Sequence, residues 1–142
     1  MRSPLHPVVF LASSFLAPLA AQCVPIAGSG CTGAGTPNCL TAPQVNTQLG
    51  HNFIAPCGTR EGNWTVIGAC LANAVPIPSP IVCSGPCGLV VDMTLVIRSF
   101  SVSIPIPNDP GLIGRSFCTQ GFAICPGQCF TLTQGLRVTI LP

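Results

Sequence analysis

The stretch LVVDMTLVIRSFSVSIPI, residues Leu89–Ile106, decides the fold because apolar and polar residues alternate along it. In its first half the odd-numbered positions are apolar, whereas Asp92 and Arg98 occupy even-numbered ones. From Phe100 onward the even-numbered positions are apolar and serines lie between them. A period of two is typical of a strand with one buried face. The change of parity predicts a bulge or sharp bend near Arg98–Ser99.

Further strand patterns flank this segment and are separated by turn residues. In chain order they are Val45–Ile54, Trp64–Leu71, an edge or polyproline-like segment over Ala74–Val82, Leu112–Ile124, and a hairpin of Phe130–Leu132 and Leu136–Ile140 turning at Gln134–Gly135. The segment with three prolines is restricted to a sheet edge because proline cannot donate a backbone hydrogen bond. About seven or eight short strands predict an all-β fold, a single antiparallel β-sandwich or barrel-like domain.

The composition excludes several classes of protein. Of 142 residues, 48% are hydrophobic and 6% are charged, which is the reverse of a disordered chain. Lysine and tyrosine are absent, and Glu61, Asp92 and Asp109 are all the acidic residues. With so little positive charge we expect no nucleic-acid partner. No cofactor is predicted, because the residues that would hold one are too few.

The N-terminal residues 1–21 have the pattern of a secretory signal peptide. Arg2 supplies the positive end, an apolar stretch follows from Val8 to Leu19, and small alanines precede Gln22. We expect cleavage after Ala21, no transmembrane segment in the mature chain, and a secreted location, extracellular or at the cell surface. The mature chain divides into a Gly/Pro/Cys-rich segment over residues 22–44, pinned by disulfides, and a β-domain over residues 45–142.

All ten cysteines lie in the predicted mature part, and an even number behind a signal peptide indicates disulfides. They are Cys23, Cys31, Cys39, Cys57, Cys70, Cys83, Cys87, Cys118, Cys125 and Cys129. Their spacing does not determine the pairing. The tight pairs Cys83/Cys87 and Cys125/Cys129 match a loose four-thiolate zinc pattern, but in an exported chain disulfides are favoured and no metal is predicted.

The residues available for catalysis are few. His51 is the only histidine of the mature part, and on paper a serine and Asp92 or Asp109 complete a hydrolytic triad. No nucleophile-elbow motif marks such a site, and an isolated histidine in an all-β chain is typical of a turn or surface. The three carboxylates are scattered over different segments, against the pairing that a glycosidase needs. We therefore predict that the chain is not an enzyme, with a secreted hydrolase the least favoured function.

Trp64 is the one candidate for a ligand-binding residue. An exposed indole with Asn63 beside it suits the faces of carbohydrates, whereas the parity that Trp64 shares with Val66 favours burial in the core. Both interpretations remain open on the sequence.

Several motifs resemble a family of exported bacterial all-β domains of uncharacterised function. They are Ile104–Phe117, Gln120, Thr133–Ile140, Leu49–Phe53 and the Gly-rich stretch Cys31–Pro37. The similarity covers most of the mature chain and implies secretion and a β fold, but no catalytic residue. This chain carries many more cysteines than the family pattern, so the resemblance implies no disulfide pairing.

Two classes of function follow. The first is a secreted, disulfide-rich structural or interaction module of the cell exterior, favoured because a chain with so few charges has little protection against association. Its partner is a second copy or an extracellular or envelope polymer. The alternative is a small carbohydrate- or envelope-polymer-binding module presented on a rigid scaffold.

Overall fold

The computed structural model describes residues 22–53, 57, 62–78, 81–83 and 85–142. Within them the chain forms twelve β-strands and one 3-10 helix of three residues, Pro110–Leu112. The strands are β1 (Cys23–Pro25), β2 (Gly30–Cys31), β3 (Asn38–Cys39), β4 (Gln48–Asn52), β5 (Asn63–Gly68), β6 (Cys70–Ile77), β7 (Cys87–Val91), β8 (Leu95–Ile97), β9 (Ser101–Pro105), β10 (Ser116–Ile124), β11 (Phe130–Leu132) and β12 (Leu136–Thr139). The described part contains no helix of the length and apolarity that a membrane span requires.

The strands form three antiparallel sheets. Sheet A has six strands in the order β1-β12-β10-β5-β8, with β11 also paired to β10. Sheet B has the order β2-β7-β6, and sheet C the order β3-β4-β9. The all-β, antiparallel class is confirmed, and the arrangement is sandwich-like and not a closed barrel.

Sheets B and C pack on opposite faces of sheet A, as two neighbouring residues of β10 show. Successive side chains of a strand point to opposite faces. Gln120 of β10 hydrogen-bonds to the backbone of Gly88 and Val90 in sheet B. The next residue, Gly121, faces the other way, and a β-carbon placed on it would lie 2.6 Å from the ring of Phe53, which follows β4 of sheet C. Sheet A is therefore the middle layer.

The core consists of three clusters. The cluster between sheets A and C contains Leu49, Ile106, Leu136, Val138 and Ile140. The two clusters beside sheet B contain Cys31, Cys87 and Leu132, and Val90, Val91 and Cys118. Because two of the three clusters include disulfide sulfurs, covalent bridges and apolar packing stabilise the same regions.

The prediction of one continuous strand from Leu89 to Ile97 is wrong. The chain leaves sheet B after Val91 and enters sheet A at Leu95, so β7 and β8 belong to different sheets. Between them the backbone N–H of Asp92 donates to the carbonyl of Ala69, 3.0 Å away. Alternation did not reveal the break because both strands keep an apolar parity. The bend predicted near Arg98–Ser99 is present, as the chain there passes from β8 to β9 of sheet C.

The predicted closing hairpin is also wrong. β11 pairs with the last residues of β10, and β12 pairs with its first residues, so the two lie end to end beside one long strand. Thr133 holds the connection in place, since its N–H donates to the carbonyl of Gly121 and its hydroxyl accepts from the Gly121 N–H, each at 2.9 Å. Gln134–Gly135 is therefore not a hairpin turn, and it separates two strands that pair one after the other along the same side of β10.

Five disulfides supply the pairing that spacing left open. They are Cys23–Cys39, Cys31–Cys87, Cys57–Cys125, Cys70–Cys118 and Cys83–Cys129. The Gly/Pro/Cys-rich segment over residues 22–44 contributes β1, β2 and β3, and the first two bridges attach to it. The predicted signal peptide, residues 1–21, lies outside the described residues.

Candidate functional site

An apolar cleft lies between sheets A and B and has a volume of about 200 Å³. Its lining is entirely hydrophobic and consists of Val66, Ile77, Ile81, Leu89, Met93, Phe122, Phe130 and Leu132. We call this set the apolar cleft. The lining comes from β5, β6, β7, β10 and β11 and from two connections, so the cleft exists only when both sheets are assembled.

The apolar cleft has a buried floor and an exposed rim. Val66 and Leu132 are buried at its base. At the rim, the side chain of Ile81 is 45% exposed and that of Met93 is 57% exposed. Large apolar side chains at the surface beside a cleft are typical of a binding surface.

Trp64 lies on the same face of sheet A as the cleft residues Val66 and Phe122, and its ring stacks on Phe122. The two rings are parallel within 6° with centroids 4.8 Å apart, as β5 and β10 place them opposite each other. Trp64 is half-buried, so it is neither the exposed platform nor the core residue between which the sequence left the choice. Asn63, its predicted polar neighbour, is buried, and the strand alternation places it on the other face of β5.

The edge of sheet A next to the cleft is formed by β8. One side of β8 pairs with β5 through Val96 and Val66, and in the described part of the chain no strand pairs with its other side. The side chains of Leu95 and Val96 are 50% and 43% exposed. Two exposed charged residues, Asp92 and Arg98, flank the segment. We call residues 92–98 the β8 edge.

Disulfide bridges hold the cleft from two sides. Cys83 and Cys129 are bonded next to the rim, and the N–H of Cys83 donates to the carbonyl of Phe130 at 2.7 Å. Cys31 and Cys87 are bonded between paired positions of β2 and β7. Since every cysteine belongs to a disulfide, the zinc site considered from the sequence is not formed.

The surroundings of His51 are those of a buried side chain. It lies on β4 between Cys39 and Val102, is fully buried, and neither ring nitrogen has a hydrogen-bond partner among the described residues. Burial lowers the pKa of His51 from 6.5 to about 4, because the charged imidazole loses its hydration. The turn or surface position favoured by the sequence is wrong for this residue.

The carboxylates of the predicted triad lie elsewhere. Asp92 accepts a hydrogen bond from the hydroxyl of Thr94, and Asp109 accepts one from the N–H of Gly111 at the start of the 3-10 helix. The structure therefore does not bring His51 together with either acid. Glu61 lies outside the described residues.

Comparison of the chain with protein-family models, with curated proteins and with solved structures finds no match. The apolar cleft was not predicted from the sequence, because its lining residues come from segments up to 66 positions apart. One signal was available, since the large apolar residues Met93 and Ile81 occur beside Asp92 and Pro80, in places where a strand is interrupted.

Proposed function

We propose that this chain is a secreted, non-catalytic interaction module of the cell exterior that contacts its partners through the apolar cleft and the β8 edge. The observation that carries the proposal is the apolar cleft, whose rim side chains Ile81 and Met93 are about half exposed on a scaffold held by disulfides. Burying such side chains against a partner gains about 25 cal/mol for each Å² removed from water. A rigid scaffold adds to the affinity because few loops and side chains lose conformational freedom on binding.

An extracellular location is supported by the cysteines. Five disulfides are typical of an oxidising, extracellular environment, where such bridges form and persist. The signal-peptide pattern of residues 1–21 and the resemblance to exported bacterial β-domains support the same location.

A role without catalysis is supported by the surroundings of the titratable groups. A general base needs access to substrate and a pKa near the working pH. His51 is buried, and its pKa of about 4 makes it a poor base for solvent-exposed chemistry. Asp92 and Asp109 each serve a local turn.

Binding to material of the cell exterior tests the proposal. The purified protein with its five bridges intact is labelled and titrated against cell-surface and extracellular-polymer fractions of the producing organism. We expect saturable binding that falls at least tenfold in Ile81→Asp and Met93→Asp. Leu40→Asp is the matched control, because Leu40 is an equally exposed leucine, 56%, outside the cleft lining.

Two results would overturn the proposal. Saturable binding that is unchanged in both Ile81→Asp and Met93→Asp would show that the apolar cleft is not the contact surface. Absence of saturable binding to every fraction, together with absence of self-association, would remove the interaction role itself.

The second candidate is a carbohydrate-binding module, and the half-buried Trp64 supports it. One face of the indole is covered by Phe122, so a sugar ring has only the remaining surface to stack on. A panel of insoluble polysaccharides distinguishes this candidate. Binding that is lost in Trp64→Ala and kept in Met93→Asp would favour a carbohydrate site over the apolar cleft.

A further inference from the structure

The β8 edge differs from the other sheet edges of the described chain. β2 and β3 have two residues each, and β1, β6 and β9 contain Pro25, Pro76 and Pro105. The outer side of β11 is met by Val82, which bridges to Phe130. Short length and proline are the usual features that prevent an edge from pairing with another chain. β8, Leu95–Ile97, is also short, at three residues, but it contains no proline and no charged residue, and no described strand lies along its outer side.

The side chains of the β8 edge favour a partner strand. Met93, Leu95 and Val96 are between 43% and 57% exposed, and the middle of the segment carries no charge. An edge strand of this kind presents unpaired backbone groups and apolar side chains together. Pairing with another strand would give these backbone groups hydrogen-bond partners and would cover the apolar side chains.

Two of the few charges in the molecule lie at the ends of this segment. The described residues contain five charged side chains, Asp92, Arg98, Asp109, Arg115 and Arg137. Asp92 precedes Leu95 by three residues and Arg98 follows it by three. In an antiparallel pair of identical segments centred on Leu95, each Asp92 comes next to the other copy's Arg98. A parallel pair would instead bring like charges together.

We propose that the β8 edge is a self-association surface, at which two copies of this chain pair β8 with β8 in antiparallel orientation. The pairing extends sheet A across both molecules, is symmetric about Leu95, and places Asp92 beside Arg98 of the partner subunit at both ends. The proposal rests on the proposed interaction function and names one of its partners, a second copy. Opposite charges at the two ends select the antiparallel orientation.

A lysine in the middle of the edge tests the pairing itself. Sedimentation velocity over a concentration series, with the five bridges intact, measures the monomer–dimer equilibrium. We expect a dimer for the wild-type protein and a dissociation constant raised tenfold or more in Val96→Lys, since a charge at the centre of a paired edge is desolvated. The matched control is Val75→Lys, an exposed valine, 48%, on the proline-containing edge β6.

Charge reversal tests the orientation. Arg98→Asp places an aspartate beside Asp92 of the partner subunit at both ends, and we expect weaker dimerisation. The double variant Asp92→Arg/Arg98→Asp restores opposite charges only in the antiparallel arrangement, so we expect its dissociation constant to return toward that of the wild type. Arg115→Asp makes the same change of charge at an exposed residue outside the β8 edge and should leave dimerisation unchanged.

The outcomes separate this inference from the proposed function. A wild-type protein that stays monomeric, or dimers that are insensitive to both Val96→Lys and Arg98→Asp, would overturn pairing at β8. Binding to exterior fractions that depends on Ile81 would then still support the interaction function. If Val96→Lys alters the disulfide pattern and so fails to fold, Arg98→Asp and the double variant decide the question, because both ends of the segment are exposed.

Discussion

At the scale of single residues, His51 carries the clearest physical cost in the fold. A neutral imidazole without a partner loses its hydrogen bonds to water when it is buried, and a charged one loses more. His51 points to the same face as Leu49 and Phe53, which are also buried. The histidine therefore acts as a core side chain that can still take up a proton.

We expect acid to destabilise the protein through His51. The folded-state pKa of about 4 lies below the ordinary value of 6.5, so the unfolded chain binds more protons between these two values. Stability is therefore full above pH 6.5 and falls as the pH decreases toward 4, by about 3 kcal/mol in total. Denaturant unfolding as a function of pH measures the loss, and the variant His51→Leu should lack this component. Identical pH profiles of the two proteins would contradict the assignment.

Gly121 is required because Phe53 lies against it. A β-carbon at this position would lie 2.6 Å from the ring of Phe53, which is itself buried and cannot move away freely. We expect Gly121→Ala to lower the free energy of unfolding by about 1–3 kcal/mol through overpacking. Adding Phe53→Leu should recover part of that loss, as measured by a double-mutant cycle in urea. Additive effects of the two substitutions would show that the close contact is not the cause.

At the scale of elements, one side chain joins three parts of the fold. The Nε2 group of Gln120 donates to the carbonyls of Gly88 and Thr133, each at 2.9 Å, and its Oε1 accepts from the N–H of Val90 at 3.0 Å. These bonds connect β10 to β7 and to the interruption between β11 and β12. A buried amide whose polar atoms are all satisfied fixes the relative position of sheets A and B.

We expect Gln120→Leu to lower the free energy of unfolding by about 2 kcal/mol or more, because the buried backbone groups of Gly88, Val90 and Thr133 lose their hydrogen-bond partner. Gln48→Leu is the control, since Gln48 is exposed and its side chain accepts a hydrogen bond from the hydroxyl of Ser103 at 2.8 Å. Urea midpoints of both variants, measured with the disulfides intact, compare the two. Equal losses would mean that the buried position of Gln120 adds nothing.

Local pattern predicted the kind of element well and the pairing of elements poorly. An alternating pattern marks β9, because a strand with one buried face leaves a period of two in the sequence. That period does not show to which sheet the strand belongs or which sheet packs on its buried face. The run from Leu89 to Ile97 therefore looked continuous, although Asp92–Thr94 carries the chain from one sheet to another. In the same way, β11 and β12 suggested a hairpin, while their actual partner, β10, precedes both.

At the scale of the whole molecule, the disulfides determine how firmly the cleft is held. Removing the bridge near the rim with Cys83→Ser/Cys129→Ser should lower stability by about 2–4 kcal/mol. It should also weaken hydrogen-exchange protection of the residue 83 amide, which donates to Phe130 in the folded protein. The matched variant Cys23→Ser/Cys39→Ser removes a bridge away from the cleft and should leave that amide protected. Equal exchange in both variants would contradict a local role for the rim bridge.

The candidate site is a property of the whole assembly, which is why the sequence did not predict it. Trp64, the candidate ligand-binding residue of the sequence, is not part of the cleft lining and packs against it by stacking on Phe122. The residues that line the cleft are ordinary apolar side chains. They differ from core residues only because no other part of the described chain covers them. Such a difference arises from the packing of sheet B on sheet A, and no local pattern contains it.

The disulfide connectivity also bears on how the protein is made. Four of the bridges join cysteines 46 to 68 positions apart, and only Cys23–Cys39, separated by 16, is local. Strand β10, at the middle of sheet A, follows nine of the other eleven strands of the described chain. The layers therefore require strands from nearly all of the described chain. Most of the bridges can close only when distant strands have been brought together, so oxidation of the cysteines and folding of the layers depend on each other.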